Sequence, residues 1–435
     1  MNQGMLMVSA LVLAASLAAQ DGAKALAPRL NAIYPELKDL YIDLHKNPEL
    51  AFQEKRTAGV LAEGLKKLGF EVTTGVGGTG VVGLLKNGAG PVVMLRTELD
   101  GLPMEEKTGL PFASKATGIG SDGAPVPTAH ACGHDLHMSA WFGTARLMAQ
   151  SKGDWHGTLM LVGQPAEETV SGAAAMLKDG LFTRFPKPDF AISMHDDPSL
   201  PSGVIGYFPG YFRASSDSLE ITIFGRGGHG AKPQTTVDPV LIAARSILVL
   251  QTLVSRENNP MDPAVVTVGA VHAGTVANII PDQATLRISV RAFSPRVRKR
   301  LLAGIERQVK AEAMAASAPR EPSIKTTSAT DSVFNDPALT KRMVDSLQRG
   351  LGPDAVAEMP AQMTSEDFSQ YGLAGVPAVL LHIGAVDPAT LKAAEANGTV
   401  LPGPHSPQWA PNLEPTLKAL VTAETLMLMD LMGRH

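Results

Sequence analysis

Residues 157–168 read GTLMLVGQPAEE, and this stretch decides the fold. The apolar run 157–162 has the length of a buried strand and is followed by a turn signal of glycine and proline. Two adjacent carboxylates, Glu167 and Glu168, come directly after it. Functional side chains of open α/β sheets collect at the carboxyl ends of strands. We therefore expect a sheet strand here, with a site at its end.

Similar strand-like runs alternate with amphipathic helical patterns over residues 26–212. This alternation predicts an α/β domain with a mostly parallel central sheet, the first part of a catalytic domain. The further strands are predicted at 80–85, 92–96 and 189–195, and the helices at 28–45, 56–68, 138–149 and 171–179.

The pattern changes over residues 215–328, where strand, helix, two strands, helix and strand follow one another. This βαββαβ order predicts a smaller α+β domain inserted into the first. The α/β pattern resumes over residues 329–435, which we expect to be the second part of the catalytic domain. The main elements predicted there are a helix at 337–351, a strand at 378–383 and a helix at 415–432.

The overall composition points to a globular protein with a small-molecule partner. The 435 residues carry 38 basic and 42 acidic side chains, a formal net charge of -4. These charges are spread along the chain, so we expect no binding of nucleic acid or of an anionic membrane.

The first twenty residues have the composition of a secretory signal peptide. Residues 5–19 are uncharged and apolar and end in small residues, after which the chain becomes polar. The run is shorter than the roughly 20 apolar residues that span a bilayer, so the mature protein is expected to have no membrane span. We predict a secreted or periplasmic protein. No Lys or Arg precedes the apolar run, so the alternative is an N-terminal helix of an uncleaved, cytoplasmic protein.

The segment 128–137, TAHACGHDLH, has the densest chemistry in the chain. It includes the only cysteine, Cys132, and three histidines, among them His134. Thiolate and imidazole are ligands for zinc-like ions. Structural zinc sites use paired Cys-x-x-Cys spacings, which are absent here, so the segment favours a catalytic metal site.

Other candidate ligands lie farther along the chain. His195 closes the strand FAISMH, and His405 lies in the loop LPGPHSPQW. With Asp100, at the end of VVMLRTELDGLP, these residues supply enough donors for two metal ions. Asp100 or Asp135 is a candidate to fix the tautomer of a ligand histidine. Of the pair Glu167 and Glu168, one carboxylate can bind metal while the other accepts a proton from the attacking water, unless both are solvated surface acids.

Two candidates for substrate binding lie in the inserted domain. His229 follows a strand in the glycine-rich segment IFGRGGHGAKP, where it could polarise a carbonyl or stabilise an oxyanion. Asn278, in GTVANIIPD, is a candidate hydrogen-bonding group. The alternatives are an exposed loop histidine and an asparagine turn.

The chain resembles the N-acyl-amino-acid amidohydrolases, including hippurate hydrolases and auxin-conjugate hydrolases, a branch of the aminoacylase and carboxypeptidase-type dinuclear zinc peptidases. The resemblance extends from His45 to Trp409. Its motifs follow in order as HKNPELAFQE, RTELDGLPMEEKTGLPF, HACGHDLHMSA, GQPAEE, SMHDDP, GRGGHGAKPQTTVDP, ANIIPD, TSEDF and HSPQW.

The resemblance implies two divalent metal ions per subunit, of zinc, manganese, cobalt or nickel. It also implies a lid domain that closes over the substrate and mediates a homodimer. Glu167 would be the general base and proton shuttle, Asp100 would orient a ligand, and His229 and Asn278 would reach the substrate. The metal ligands would be Cys132, His134, Glu168, His195 and His405.

The expected reaction is hydrolysis of the amide bond of N-acetyl, N-benzoyl or indoleacetyl amino acids to a carboxylic acid and a free amino acid. The alternatives are a dipeptidase or carboxypeptidase using the same site, and a non-catalytic metal-binding protein. The sequence departs from the branch pattern at Thr97, Glu98, Gln234 and the residues after Trp409. These departures remove no proposed ligand and bear on substrate preference.

Overall fold

A computed structural model of the chain describes residues 21–433. The predicted signal peptide, residues 1–20, lies outside the described residues. The described part divides into two compact units. The larger unit contains residues up to Gly210, Phe334–Pro360 and Gln370 onward, and the smaller unit contains Tyr211–Val333 and Ala361–Ser369.

The helices of the described residues are α1 (Asp21–Lys46), α2 (Lys55–Lys67), α3 (His134–Gln150), α4 (Gly172–Lys178), α5 (Leu181–Arg184), α6 (Pro239–Thr252), α7 (Pro295–Ala315), α8 (Pro337–Leu351), α9 (Ser369–Leu373), α10 (Pro388–Asn397) and α11 (Leu413–Met432). Leu253–Glu257 continues α6 as a π-helix. Pro233–Thr235 and Pro353–Ala355 form 3-10 turns.

The strands are β1 (Glu71–Val76), β2 (Gly80–Asn87), β3 (Val92–Glu98), β4 (Thr117–Ile119), β5 (Pro125–Pro127), β6 (Gly157–Gln164), β7 (Phe190–Pro201), β8 (Ile205–Tyr207), β9 (Gly210–Arg213), β10 (Ser215–Phe224), β11 (Gly228–His229), β12 (Ala264–Ala273), β13 (Ile279–Ile280), β14 (Gln283–Ala292), β15 (Ser323–Thr330), β16 (Val333–Asn335), β17 (Val356–Glu358) and β18 (Ala378–Val386).

An eight-stranded sheet in the order β1-β2-β6-β3-β7-β18-β8-β17 forms the centre of the larger unit. Its four middle strands, β6, β3, β7 and β18, are parallel, which confirms the predicted fold class. Antiparallel pairs lie on both sides of them, because β2 runs against β6 and β8 runs against β18. Strands β3, β6 and β18 are buried almost throughout, and β7 is buried over residues 191–197, as expected for parallel strands covered on both faces.

Helix α3 carries the histidine-rich segment into the core of the larger unit. It packs on α1, α11 and β3. Its side chains are buried nearly all round, and Trp141 donates its indole N–H to the Leu95 carbonyl at 3.1 Å. A helix that is buried all round cannot leave its first turn in solvent. The histidines of that turn therefore lie inside the protein.

The smaller unit is an α+β sandwich with the predicted order of elements. Its antiparallel sheet has the order β12-β14-β10-β15, and α6 and α7 cover one face. Strand β10 alternates strictly between buried and half-buried residues, as a strand with one covered face does. The segment 361–369, which includes the TSEDF motif, belongs to this unit. Its Gln362 carbonyl accepts the Ala214 N–H at 3.1 Å, and its Met363 carbonyl accepts from Arg291 at 2.8 Å.

Candidate metal centre

The candidate ligands of the larger unit come from four separate parts of the chain. Cys132 and His134 lie at the start of α3, and Glu168 lies in the loop after β6. His195 lies within β7, where it is paired with His382 of β18. His405 lies in the loop between α10 and α11, and its N–H donates to the Ala131 carbonyl at 2.7 Å. That bond fixes the C-terminal loop beside Cys132.

The ligand atoms of these residues lie close together. Cys132 Sγ is 3.5 Å from His195 Nε2, and His405 Nε2 is 3.2 Å from Glu168 Oε2. Two triads, Cys132 with His134 and His195 and Cys132 with Glu168 and His405, each have their ligand atoms within 4.8 Å of one another. Zinc ligands bind at about 2.0–2.3 Å, so donors around one ion are separated by less than about 4.6 Å. Cys132 is common to both triads, as a ligand between two ions would be.

Two of these atoms have no hydrogen-bond partner, which provides a test of whether the residues fit a metal. His134 Nε2 and Glu168 Oε1 are buried and unpaired, and they are 4.0 Å apart. A buried polar atom without a partner is costly, and native proteins rarely retain one. A cation between the two atoms would satisfy both. The donor set of thiolate, imidazole and carboxylate is the set that zinc-like ions prefer, so the residues fit the group.

The electrostatics of the site also favour a cation. Burial opposes protonation of His134, but the neighbouring Asp100 and Cys132 nevertheless raise its pKa well above the usual range. The hydrogen bond to Glu168 raises the pKa of His405. Burial and the charge of Glu168 raise the pKa of the Cys132 thiol, so the thiolate needs a neighbouring positive charge.

Asp100 organises two of the loops around the site. Its backbone carbonyl accepts a hydrogen bond from His134 Nδ1 at 2.7 Å, which leaves Nε2 to face Glu167 and Glu168. Its carboxylate accepts the Glu167 N–H at 3.1 Å and the Glu168 N–H at 2.9 Å. Asp100 therefore sets both the tautomer of His134 and the position of the adjacent glutamates.

Asp135, the other candidate for fixing a ligand tautomer, faces a different histidine. Its carboxylate lies 2.6 Å from His45 Nδ1, and Glu106 lies 3.1 Å from His45 Nε2. Burial opposes protonation, but these two carboxylates raise the pKa of His45 to about 10. The pairing joins the HKNPELAFQE segment to α3. Sequence reasoning did not find this group, because its three residues are far apart in the chain.

A second group missed from the sequence centres on Asp196. Its carbonyl is 2.8 Å from His195 Nδ1, and its carboxylate oxygens lie 3.1 Å from His137 Nε2 and 2.8 Å from the indole nitrogen of Trp409. Hydrogen bonds from His137 and His195 keep the pKa of this buried carboxylate well below its usual range, against the effect of burial. The signal in the sequence was the position of Asp196 directly after His195, in SMHDDP.

Glu98, one of the departures from the branch pattern, lies close to His134 and His137. It is fully buried, and its carboxylate pairs with Arg96 and lies 3.1 Å from His137 Nδ1. The charges of Arg96 and His137 lower the pKa of Glu98 well below its usual range, although burial opposes this. The buried Glu98 carboxylate is therefore charged, and Arg96 and His137 are its partners.

The two substrate-binding candidates, His229 and Asn278, lie next to each other in the smaller unit. The short strands β11 and β13 pair His229 with Ile279, and Gly230 N–H donates to the Asn278 carbonyl at 2.8 Å. The His229 side chain is exposed, and its Nδ1 accepts the N–H of Ala231 at 3.0 Å. That bond leaves Nε2 available as a hydrogen-bond donor.

Comparison with known proteins identifies the chain's relatives. The model of peptidase family M20/M25/M40 matches residues 94–397. A hippurate hydrolase of Campylobacter jejuni is 40% identical over 63% of this chain and 69% of its own length. An N-acetylcysteine deacetylase of Bacillus subtilis is 36% identical over 78% of this chain and 86% of its own length. Among solved structures, the Bacillus subtilis YXEP protein, a dinuclear metal binding peptidase, superposes with a TM-score of 0.74 at 30% identity over 92% of this chain and 99% of that one.

Proposed function

The chain belongs to peptidase family M20/M25/M40, and on that premise we propose that it is a metal-dependent amidohydrolase of N-acyl amino acids. The products are a carboxylic acid and a free amino acid. The relatives at 40% and 36% identity are named for substrates of this class, hippurate and N-acetylcysteine. The observation that carries the proposal is the position of Glu167 Oε2, 3.8 Å from the unpaired Nε2 of the ligand candidate His134.

We propose that Cys132, His134, Glu168, His195 and His405 hold two divalent ions of zinc, manganese, cobalt or nickel. When bound, such ions supply Lewis acidity toward an amide carbonyl and lower the pKa of a coordinated water to about 7. The common position of Cys132 in both triads supports the number two.

The two adjacent glutamates divide the chemistry in this proposal. Glu168 faces His134 and His405 and serves as a ligand. Glu167 is the general base, which takes the proton of the attacking water and passes it to the leaving amine. Asp100 holds the backbone N–H of both residues, so the two carboxylates keep fixed positions.

His229 and Asn278 are proposed to bind the substrate, with His229 stabilising the oxyanion of the tetrahedral intermediate. The exposed imidazole with a free Nε2 supports this role. Changing His229 to Ala, which has no side-chain donor, should lower kcat by about 100-fold, the usual effect of losing an oxyanion donor. An unchanged kcat would remove His229 from the mechanism.

The smaller unit is also proposed to form a homodimer. Leu241 and Leu248 of α6 are 59% and 71% exposed, and the edge strand β12 exposes Val271. Exposed leucines beside an open strand edge are typical of a surface that pairs with another chain. Light scattering should give twice the chain mass, and Leu248→Glu should shift it toward the monomer. A monomeric wild type would contradict the proposal.

Within the described residues, one helix, Pro239–Glu257, is long and apolar enough to cross a membrane by length and composition. It packs one face against the sheet of the smaller unit, where Ile242 and Leu250 are buried. We assign it to the globular unit. Export through residues 1–20 remains a proposal, which mass spectrometry of the mature N-terminus tests; an intact Met1 in released protein would contradict it.

The function is tested with a panel of N-acetyl, N-benzoyl and indoleacetyl amino acids and matched dipeptides, after reconstitution with each metal. We expect the N-acyl amino acids to be hydrolysed and chelation to abolish turnover. Preferential cleavage of dipeptides would favour the peptidase alternative, which the name of the YXEP protein supports.

The Glu167→Ala variant separates catalysis from metal binding. We expect kcat to fall by at least about 100-fold, because general-base catalysis typically contributes 10²–10⁴-fold. Metal content should remain at the wild-type level, since the five proposed ligands are intact. Near-wild-type turnover by a metal-loaded variant would refute the assignment of the base, and a wild type inactive on the whole panel would favour a non-catalytic metal protein.

A further inference from the structure

The loop that carries Glu167 has an unusual backbone. Ala166 and Val170, on either side of the two glutamates, have φ angles of 52° and 48°. Non-glycine residues rarely adopt this left-handed region unless neighbouring contacts hold them there. The N–H groups of Ser171 and Gly172 both donate to the Ala166 carbonyl at 3.2 Å, so the loop is tightly closed.

Ala166 is held from the other side by a buried carboxylate of a distant segment. Glu54, the last residue of the HKNPELAFQE segment and directly before α2, is fully buried, and its Oε1 accepts the Ala166 N–H at 2.8 Å. Its Oε2 accepts the hydroxyl of Thr79, which precedes β2. Both oxygens of Glu54 are therefore used, one of them on the residue directly before Glu167.

The cost of burying this carboxylate indicates that it has a function. Burial and the charge of Asp100 raise the pKa of Glu54 to about 7. Between the ordinary carboxyl pKa of 4.5 and about 7, the folded protein binds a proton that the unfolded chain has released. The stability of the fold therefore decreases as the pH rises through this range. An apolar side chain at this position would avoid that loss but could not accept the Ala166 N–H.

The two acidic residues hold different points of the same loop. Asp100 binds the N–H groups of Glu167 and Glu168, whereas Glu54 binds the N–H of Ala166. The N–H of Ala166 lies in the peptide plane that joins Pro165 to Ala166, and the φ angle of Ala166 sets the orientation of that plane relative to the chain that follows. A hydrogen bond to that N–H therefore fixes the direction from which the chain enters Glu167.

We propose that Glu54 is a positioning residue for the base Glu167, holding Ala166 in its left-handed conformation through the Ala166 N–H. The inference rests on the proposed function of Glu167. It assigns no contact between Glu54 and the substrate or the metal. Glu54 influences the reaction only through the backbone of Ala166, which positions Glu167.

The main variant is Glu54→Leu, which has a similar volume but no acceptor. We expect kcat to fall by about 100-fold, the loss that a misplacement of about 1 Å can produce in an active site. KM and the affinity for Co²⁺, measured by titration of the visible absorption, should stay within about threefold, because Asp100 still holds Glu168. Glu54→Gln keeps an acceptor oxygen for Ala166 and should restore kcat to within about fivefold of wild type.

A second substitution tests the backbone mechanism directly. Glycine occupies the left-handed region without steric cost, so Ala166→Gly should raise kcat in the Glu54→Leu background by about tenfold and not in the wild type. The matched control is Glu424→Leu, the same change at another buried acid, whose carboxylate accepts the Thr144 hydroxyl at 2.7 Å in the helical core. That variant should keep the wild-type kcat even if its melting temperature falls.

Three outcomes would overturn the proposal. The first is a folded, metal-loaded Glu54→Leu enzyme with the wild-type kcat. The second is that both Glu→Leu variants show the same decrease in kcat, increase in KM and decrease in Co²⁺ affinity. That result would indicate a structural role alone. The third, independent of activity, is a crystal structure of Glu54→Leu in which Ala166 keeps its positive φ. If wild type hydrolyses nothing in the panel, the proposed function fails, and the crystal structure still decides whether Glu54 sets the Ala166 conformation.

Discussion

At the scale of single residues, much of the candidate site consists of groups that hold the ligands and touch no metal themselves. Asp100 holds His134 through a carbonyl, and Asp196 holds His195 in the same way. Histidine ligands generally need such a partner, because it fixes which ring nitrogen faces the ion. The local chemistry of 128–137 predicts Cys132 and His134 as ligands. It cannot predict Asp196 or Trp409, whose roles depend on side-chain direction.

Trp409 provides the first residue-scale prediction. Its buried indole N–H donates to Asp196 at 2.8 Å and so joins the loop of His405 to the residue that orients His195. Trp409→Phe keeps an aromatic ring but loses this bond. We expect the affinity for Co²⁺ to fall by about 10-fold or more, as for other partners behind metal ligands.

The matched control for this change is Trp155→Phe. Trp155 is equally buried, but its indole N–H donates at 2.9 Å to the Met148 carbonyl in the helical core. This variant should lose stability and keep its Co²⁺ affinity. Equal loss of affinity in both variants would show that Trp409 acts only by packing.

His45 gives the second residue-scale prediction, on pH. Its pKa is raised from 6.5 in the unfolded chain to about 10 in the fold, because Asp135 and Glu106 outweigh the effect of burial. The stabilisation is therefore fully present below about pH 6.5 and is lost as the pH rises toward 10. Urea unfolding between pH 7 and 10 should show a falling free energy of unfolding, with a smaller slope in His45→Gln. The control is His272→Gln, a change at an exposed histidine, which should keep the wild-type dependence of the free energy of unfolding on pH. The same dependence in His45→Gln would contradict the prediction.

At the scale of secondary-structure elements, the buried parallel strands were the most predictable part. The strands β3, β6, β7 and β18 each contain an apolar run in their first half, and each was predicted within a few residues at its start. The strands β1 and β17 were missed because they are short and partly exposed, so neither an apolar run nor a strict alternation marks them. Their pairing is decided by the rest of the sheet.

The start of α3 leads to an element-scale prediction. Gly133 precedes the helix with a φ of 76°, and a Cβ at this position would lie 2.7 Å from the Asp196 carboxylate. Gly133→Ala combines a strained backbone with this clash, so Co²⁺ affinity and stability should both fall, stability by about 1–3 kcal/mol or more. Gly109 has the same φ of 76°, but a Cβ there would have no atom within 4 Å, so Gly109→Ala adds only the backbone cost. Equal effects of the two substitutions on metal affinity would rule out the clash.

At the scale of the whole molecule, the site combines residues more than 270 positions apart, from Cys132 to His405. Spacing along the chain cannot predict such proximity, because it depends on how the strands are ordered in the sheet. His195 and His405 were identified from the resemblance to a family rather than from local chemistry. The structure brings His195 and Glu168 to one edge because β6 and β7 flank β3 in one parallel sheet, and the hydrogen bond from the His405 N–H to the Ala131 carbonyl places His405 beside Cys132.

The assignment of all five proposed ligands to the larger unit gives the last prediction, on metal removal. The two units have separate hydrophobic cores, so they can unfold in separate transitions. Metal at 100 times its dissociation constant stabilises the form that binds it by about 2.7 kcal/mol. Chelation should therefore lower the melting temperature of one calorimetric transition and leave the other unchanged.

A core substitution in the smaller unit identifies which transition is which. Leu250 is fully buried against its sheet, and Leu250→Ala should cost that unit about 2–5 kcal/mol. The transition lowered by Leu250→Ala should be the one that chelation leaves unchanged, because no proposed ligand lies in that unit. If chelation also lowered the melting temperature of that transition, the metal would have to stabilise the smaller unit as well. Ligands from the larger unit alone would then not account for the site.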